Sequence, residues 1–542
     1  MWRYVRRDLL RINDAAPMTG RIQATTAPRR RLYARCFCQA SKSGILSGIG
    51  LALLASVTLL AYLITMDRGV DFHDYGDFQT VPYILGIPYP TGYPAFVLFG
   101  WLWSHSVVVA DVAFGLNLLS VIATVISVLI MAHLSRAIGL GWSASIMAAL
   151  LYAGGFSVWS HSGAASPHVF GQMWILAALL FAVRSWSGSA AIRSGHYSVI
   201  ASGVALAADN TTLLCLAGIA VTLHGRFWPL SRVKELRVGL CAAICIVLAA
   251  YAYLPLRSLY VTAHMLDPTR QLGLAPGAPF WDDRHPGSFS GFIRVISGSD
   301  YHTDGAFASL ASPASVAHWS IRSLDALGTD VTRVLTYLLP LGFVVVLRRS
   351  RHIAIGLFLF AAVPLAFIFS YPAELDPDRY VPRALAVAVL LLAALLDLAL
   401  RYCKGTPRGV AIPVTLGLLL LYAGALVHDV RLMQRNIAER RQRDARGFAR
   451  FIGRLTPENA IVISDWNECT PLAYQAYVQR QGTPRFVLCG TLKSFAPDVK
   501  TWAKDHAVFY VGATISVPPS PNFERLGQFD ALSLWKYRLL RR

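Results

Sequence analysis

Residues 44–66, GILSGIGLALLASVTLLAYLITM, run for 23 residues without a charged side chain. As an α-helix rising about 1.5 Å per residue, this segment is long enough to cross a hydrocarbon core of about 30 Å. Such a run restricts the chain to folds that use the bilayer as solvent. Composition agrees, because 55% of the 542 residues are hydrophobic and only 15% charged, more apolar side chain than a soluble domain buries. The run exceeds the ~7–15 residues of a signal-peptide core and lacks an A-x-A exit, so it reads as an uncleaved signal anchor. The arm before it, residues 1–43, carries ten Arg or Lys side chains against Asp8 and Asp14, a net +8. By the positive-inside rule that arm stays cytoplasmic and the loop after the first helix faces outside.

Further runs of spanning length occupy about 112–134, 143–160, 168–184, 238–256, 331–347, 353–370, 382–400 and 409–428. Residues 197–223 have basic flanks on both sides and the polar string Asp209-Asn210-Thr211-Thr212 in the middle, which fits two short helices in a hairpin. The expectation is a mainly α, polytopic membrane bundle of about eleven membrane helices, with the C-terminus outside. Basic connections near Arg136, Arg193, Arg232, Arg348 and Arg401 then all fall inside. One feature opposes this topology. Residues 431–454 hold eight arginines, a density the positive-inside rule would place in the cytoplasm; were the C-terminus inside, 197–223 would be a single span.

From about residue 429 an Arg-rich helical stretch leads to short β-branched or aromatic strands at ENAIVISDWNE, RFVLCG and HAVFYVG, a small C-terminal α/β domain expected on the non-cytoplasmic side. The membrane domain covers 44–428, with outward loops at 67–94, 257–330 and 371–381. The formal charge of +20 sits in the arm, the short connections and the tail, a topological pattern that does not call for nucleic acid. Among eight cysteines no CxxC pair or zinc spacing occurs; Cys469 and Cys489 are the candidates for pairing.

The first outward loop concentrates chemistry. Asp67, Asp71, Asp74, Asp77 and His73 lie at the membrane surface, where a carboxylate can act as general base toward a hydroxyl. Pro82, Pro88, Pro90 and Pro94, with Gly86 and Gly92, describe a stiff, non-helical path. A solvated acidic loop is the plainer alternative. In the second loop Arg257 is placed to capture a phosphate or to anchor a helix end, and Trp281 and Tyr301 to stack on a sugar or join an aromatic belt. In the third, Arg379 is a second phosphate candidate within a group of charges that also reads as a salt-bridged cap. Within the membrane, Asp209 at the hairpin apex reads as solvated and His168 as interfacial.

The strings Asp74-Tyr-Gly-Asp77-Phe, Leu85-Gly-Ile and Tyr89-Pro-Thr-Gly-Tyr93-Pro94 resemble the leading signature of the transmembrane protein 260-like protein O-mannosyltransferases and their bacterial relatives. Leu116-Asn117-Leu-Leu-Ser120, Tyr253-Leu-Pro-Leu-Arg257 and Ile296-Ser-Gly-Ser-Asp-Tyr301 continue the similarity in order, over roughly residues 60–310. The resemblance implies a GT-C-like glycosyltransferase fold. It implies a sugar leaving a polyprenyl-phosphate carrier on the non-cytoplasmic face, by an inverting transfer, to a protein, glycan or lipid hydroxyl, as in protein O-mannosylation. Asp74 is then the base and Asp77 its orienter or substitute, with His73, Tyr89 and Tyr93 lining the substrate. Two positions depart from the pattern: Asp77 stands where the family has Glu, and Tyr89 where it has His. No cofactor is called for. Asp71, His73 and Asp74 have the chemistry to ligate a divalent ion, but no ligand spacing supports one. The partners implied are the bilayer and the lipid-linked donor. The membrane is a bacterial inner membrane with the site toward the periplasm or exterior, or in a eukaryote the ER with the site toward the lumen. A non-enzymatic transporter or flippase of a polyprenyl-linked solute is the rival class, although the inverted repeats common in transporters are not seen.

Overall fold

The chargeless run that opens the membrane domain is a helix, Gly44–Thr65, in the computed structural model of the chain, which describes residues 44–186, 190–227, 234–301, 313–370, 377–403, 408–480, 486–513 and 522–538. The basic N-terminal arm lies outside the described residues. Ile49, Leu53, Leu60 and Ile64 of this first helix point outward and exposed, as side chains meant for lipid do. Among the described residues six helices are long and apolar enough to cross a membrane. A seventh span is formed if Trp142–Gly154 and Phe156–Ser162, bent by 59° at Gly155, act as one. The remaining apolar segments are also helical: Ala191–Ala208, Leu216–Phe227, Leu339–Arg349 and Arg351–Ser370.

The polar string at 209–212 breaks the chain between two helices. Ala191–Ala208 ends at Asp209, whose backbone is extended (φ −153°, ψ 108°), a 3-10 turn spans Asn210–Cys215, and Leu216–Phe227 follows. The two helices run in opposite directions. Arg226 Nε at the end of the second bonds the Ser185 carbonyl at 3.2 Å, near where the first begins, whereas Asp209 between them reaches His168 at the far end of the Pro167–Arg184 helix. The segment is therefore a hairpin.

Ion pairs divide the molecule into two ends. At one, Asp397 gathers Arg349 (2.9 Å) and Arg401 (2.9 Å), and Arg401 also bonds the Gly139 carbonyl. Trp186 and His352 stack nearby, joining the Ser185 and Arg349 connections at that end. At the other end, Arg440 pairs with Asp67 at 2.8 Å and Arg446 with Asp111. The Arg-rich stretch thus lies on the side of the first loop, with Arg440 paired to Asp67 of that loop and Arg446 to Asp111 at the start of the Val112–Ala137 helix.

The C-terminal domain is a five-stranded sheet in the order β2-β1-β3-β5-β4, with β1 Ile461–Ser464, β2 Phe486–Cys489, β3 Val508–Ala513, β4 Phe523–Phe529 and β5 Leu532–Tyr537. β1 pairs in parallel with β2 and β3, while β5 is antiparallel to β3 and β4. The unbroken apolar run Ile461-Val-Ile463 fits a central strand covered on both faces, and all four β1 residues are buried. Helices Trp466–Ala473 and Leu492–Trp502 make the crossovers. Val81, Val97 and Phe280 of the membrane domain share one apolar cluster with Phe448, Val462, Leu472 and Val487, so the sheet domain is packed on the first and second loops.

Candidate active site

The first loop holds a helix where the prolines suggested a non-helical path. His73–Ile84 is helical, with Pro82 in its last turn, where the missing N–H removes one bond. The stiff part of the loop follows it: Leu85 is left-handed (φ 53°), Gly92 has φ 80°, and Tyr93 (φ 41°) leads into the next helix, Pro94–Ser106. The conformation is held from outside. Arg257 Nε bonds the Leu85 carbonyl at 2.5 Å and its Nη2 the Ile84 carbonyl at 3.1 Å. The Tyr253 hydroxyl donates to the carbonyls of Leu85 and Gly86. Gly86 has no room for a side chain, because an added Cβ would fall 1.8 Å from the Phe280 carbonyl oxygen. The Tyr253-Leu-Pro-Leu-Arg257 and Leu85-Gly86 strings are thus two halves of one clamp on the end of the helix. Arg257 lies inside the Arg237–Ala263 helix, and its guanidinium serves these carbonyls about 15 Å along the helix from Asp74.

Asp74, in the first turn of the His73–Ile84 helix, is 29% exposed and addressed by three donors from distant parts of the chain. Oδ2 accepts from Tyr89 Oη at 2.9 Å and from Arg379 Nη1 at 3.0 Å. Oδ1 accepts from the indole Nε1 of Trp466 at 2.9 Å. Tyr89, where the resembling family has His, is therefore bonded to the candidate base, with its ring against Phe78, Tyr93 and Trp466. Tyr93 is buried edge-on to Phe78 (5.3 Å) and His168 (5.6 Å). His73 opens the helix in a left-handed conformation (φ 58°); near it burial raises the pKa of Glu468, an effect His73 partly offsets.

Asp77, one turn on, is in a different situation. It is fully buried, and neither carboxyl oxygen has a hydrogen-bond partner. Burial, then the charges of Asp283 and Asp74, raise its pKa well above the usual carboxylate range. The Tyr89 backbone N–H offsets part of this but is not placed for a hydrogen bond. Asp77 is accordingly a buried carboxyl whose surroundings disfavour its charged form. Asp283 beside it is pushed up to about 6, chiefly by burial, with Arg284 at 3.1 Å pulling the other way.

The remaining expected residues fall elsewhere. Trp281 packs edge-on to Tyr477 at 5.6 Å in the apolar seam between loop and sheet domain. Tyr301 ends a 3-10 turn, and its side chain lies outside the described residues, as do Glu374 and Asp376. Arg379 reaches Asp74, and Arg383 reaches Asp209 at 2.5 Å. Asp209 is not solvated: it is fully buried, bonded also to His168 Nδ1 at 3.0 Å and to Thr211. Arg379 further lines a small cavity with Tyr152, His161, His168 and Gln172, with room for about one water. Sequence reasoning missed Trp466, 392 positions from the carboxylate it bonds, and the Arg383–Asp209–His168 network. No spacing signals either, since both are made by tertiary contact. No cluster of three or more His, Cys, Asp or Glu side chains fit to hold a metal is found among the described residues.

Residues 74–229 match the family model of the protein O-mannosyl-transferase TMEM260 N-terminal domain. No curated protein matches the chain in sequence. In structure the chain is similar to ArnT from Cupriavidus metallidurans bound to undecaprenyl phosphate, with a TM-score of 0.56 at 12% identity, over 92% of this chain and 98% of that one. It is also similar to the oligosaccharyltransferase AglB from Archaeoglobus fulgidus in complex with an inhibitory peptide and a dolichol-phosphate, with a TM-score of 0.50 at 12% identity, over 87% of this chain and 70% of that one. The chain thus has the fold of GT-C membrane glycosyltransferases, and its residues 74–229, which hold Asp74, Asp77, Tyr89 and Asp209, match the N-terminal domain of the protein O-mannosyl-transferase TMEM260.

Proposed function

We propose that this chain transfers a sugar from a polyprenyl-phosphate carrier to an acceptor hydroxyl, with inversion, at the membrane face that bears Asp74, and that protein O-mannosylation is the reaction class. The observation that carries the reading is Asp74 itself: a partly exposed carboxylate with Arg379 on the same oxygen. Asp74 accepts the acceptor's proton as the acceptor oxygen attacks the anomeric carbon. The bond from that carbon to the phosphate oxygen breaks, and its electron pair leaves on the polyprenyl phosphate. Arg379 is the group suited to hold that phosphate. Its planar fork binds phosphate better than it binds one carboxylate oxygen, so donor binding draws it off Asp74 and leaves Oδ2 free to take the proton. The carriers named for ArnT and AglB, undecaprenyl phosphate and dolichol-phosphate, support a lipid-phosphate donor. Arg257, engaged with helix carbonyls, is assigned to shaping the loop.

The site faces away from the cytoplasm, toward a periplasm, exterior or ER lumen. Two observations support this: the basic connections around Asp397 gather at the opposite end, and the site end carries the Cys469–Cys489 disulfide. The test is turnover in vesicles with a panel of polyprenyl-phosphate hexoses and a Ser/Thr peptide, read as release of polyprenyl phosphate and labelled peptide. Asp74→Asn removes both products on this reading, and full turnover by that variant sinks it.

A further inference from the structure

The Trp466–Ala473 helix belongs to the sheet domain by chain order, since it connects β1 to β2, yet it rests on the helix that carries Asp74. Contact is closest at Gly76. A Cβ added there would lie 2.7 Å from Thr470 Oγ1 and 2.8 Å from Thr470 Cβ, closer than real Cβ atoms approach. The glycine of the Asp74-Tyr-Gly-Asp77 string is thus where the two helices meet. Trp466 opens its helix, and its ring is held by Phe280, stacked at 5.8 Å and 4° from parallel, and by Tyr89, edge-on at 5.9 Å. Three residues along, Cys469 is bonded to Cys489 at the end of β2. An unbroken path of contacts therefore runs from the central sheet through the disulfide and one helical turn to a single carboxylate oxygen.

The two oxygens of Asp74 are divided between two sets of partners. Oδ2 takes Tyr89 and Arg379, both from the membrane domain, while among the described residues the donor on Oδ1 is the Trp466 indole. A carboxylate held at one oxygen cannot turn about its last torsion, and an N–H at Oδ1 keeps Oδ2 presented to the acceptor. We propose that Trp466 is a positioning residue for Asp74 and that the C-terminal sheet domain, through it, completes the active site. This rests on Asp74 being the base. It adds that a residue of the C-terminal sheet domain contributes to turnover.

The test uses full-length protein in vesicles, with the polyprenyl-phosphate hexose of highest turnover among mannose, glucose and galactose and a Ser/Thr peptide acceptor. Trp466→Phe keeps the ring between Phe280 and Tyr89 and removes only the N–H. The variant is expected to lose about tenfold in kcat, the range for losing a hydrogen bond to a charged group, at unchanged donor KM and unchanged melting temperature. A purely structural role would instead lower the melting temperature along with kcat, so a kcat loss at wild-type donor KM and wild-type melting temperature is the positioning signature. Wild-type kcat for Trp466→Phe beside an inactive Asp74→Asn overturns the positioning role and leaves the base assignment standing. An active Asp74→Asn, or no turnover with any donor, overturns both.

Discussion

Asp74 and Asp77 are three residues apart on one helix and have opposite fates, because one lies in an open first turn and the other beneath Asp283 and the second loop. The sequence marks the pair as acidic and near the membrane, but burial depends on residues some two hundred positions away. The contrast predicts a split. Asp74→Asn should lower kcat at least ~10³-fold without loss of folded protein, whereas Asp77→Asn, which keeps the shape of a buried carboxyl whose surroundings disfavour its charge, should stay within about threefold of wild type. Steady-state turnover of the two variants checks this, and inactivity of Asp77→Asn would move the base to that position. Asp283 gives a stability signature. Its folded pKa of about 6 exceeds the unfolded value near 3.8, so the unfolded chain releases that proton first. Stability is full below about pH 4 and falls as pH rises to 6. Asp283→Asn should therefore raise the melting temperature at pH 7, by a gain on the order of 3 kcal/mol that is nearly lost at pH 4; thermal scans at both pH values decide.

At the scale of elements, six expected spans, near 44–66, 112–134, 168–184, 238–256, 382–400 and 409–428, were legible because lipid demands long apolar runs, whereas 331–347 is broken between Arg333–Thr336 and Leu339–Arg349 and 353–370 is a shorter apolar helix; the hairpin at Asp209 was legible because basic flanks bracket a polar apex. The helix of the first loop was not. Most of its prolines and glycines fall after Leu85, but Gly76 and Pro82 lie within His73–Ile84, and what holds that segment helical is the clamp from Tyr253 and Arg257 and the cover of the Trp466 helix. Arg257→Ala should cost about 1–3 kcal/mol of stability and lower kcat with donor KM nearly unchanged. An arginine that held the carrier phosphate would instead raise donor KM, so the kcat and KM of this variant separate the two roles. The disulfide closes a segment of 20 residues and clips the Trp466 helix to β2. Replacing both cysteines by alanine should cost roughly 3 kcal/mol in the chain-entropy account and reduce activity along with melting temperature.

For the whole molecule, charge counting alone left the side of the C-terminal domain in dispute, since eight arginines precede it. Arg440 and Arg446 find Asp67 and Asp111, so a stretch that resembles a cytoplasmic anchor is the seam between the membrane domain and its sheet. A thiol reagent that cannot cross membranes should label a cysteine placed at Asp530, in the exposed β4–β5 turn, from outside intact cells, and should not label one placed at Arg351. The reverse pattern would invert the topology. The central claim is that this chain breaks the bond between a sugar and a polyprenyl phosphate with Asp74 as base. The most direct measurement follows release of polyprenyl phosphate from a labelled polyprenyl-phosphate hexose by wild-type and Asp74→Asn protein in vesicles, with a Ser/Thr peptide present. Release coupled one for one to peptide labelling in the wild type, and absent in the variant, is the predicted result. Equal release by both, or movement of intact donor across the bilayer with no bond broken, would contradict it.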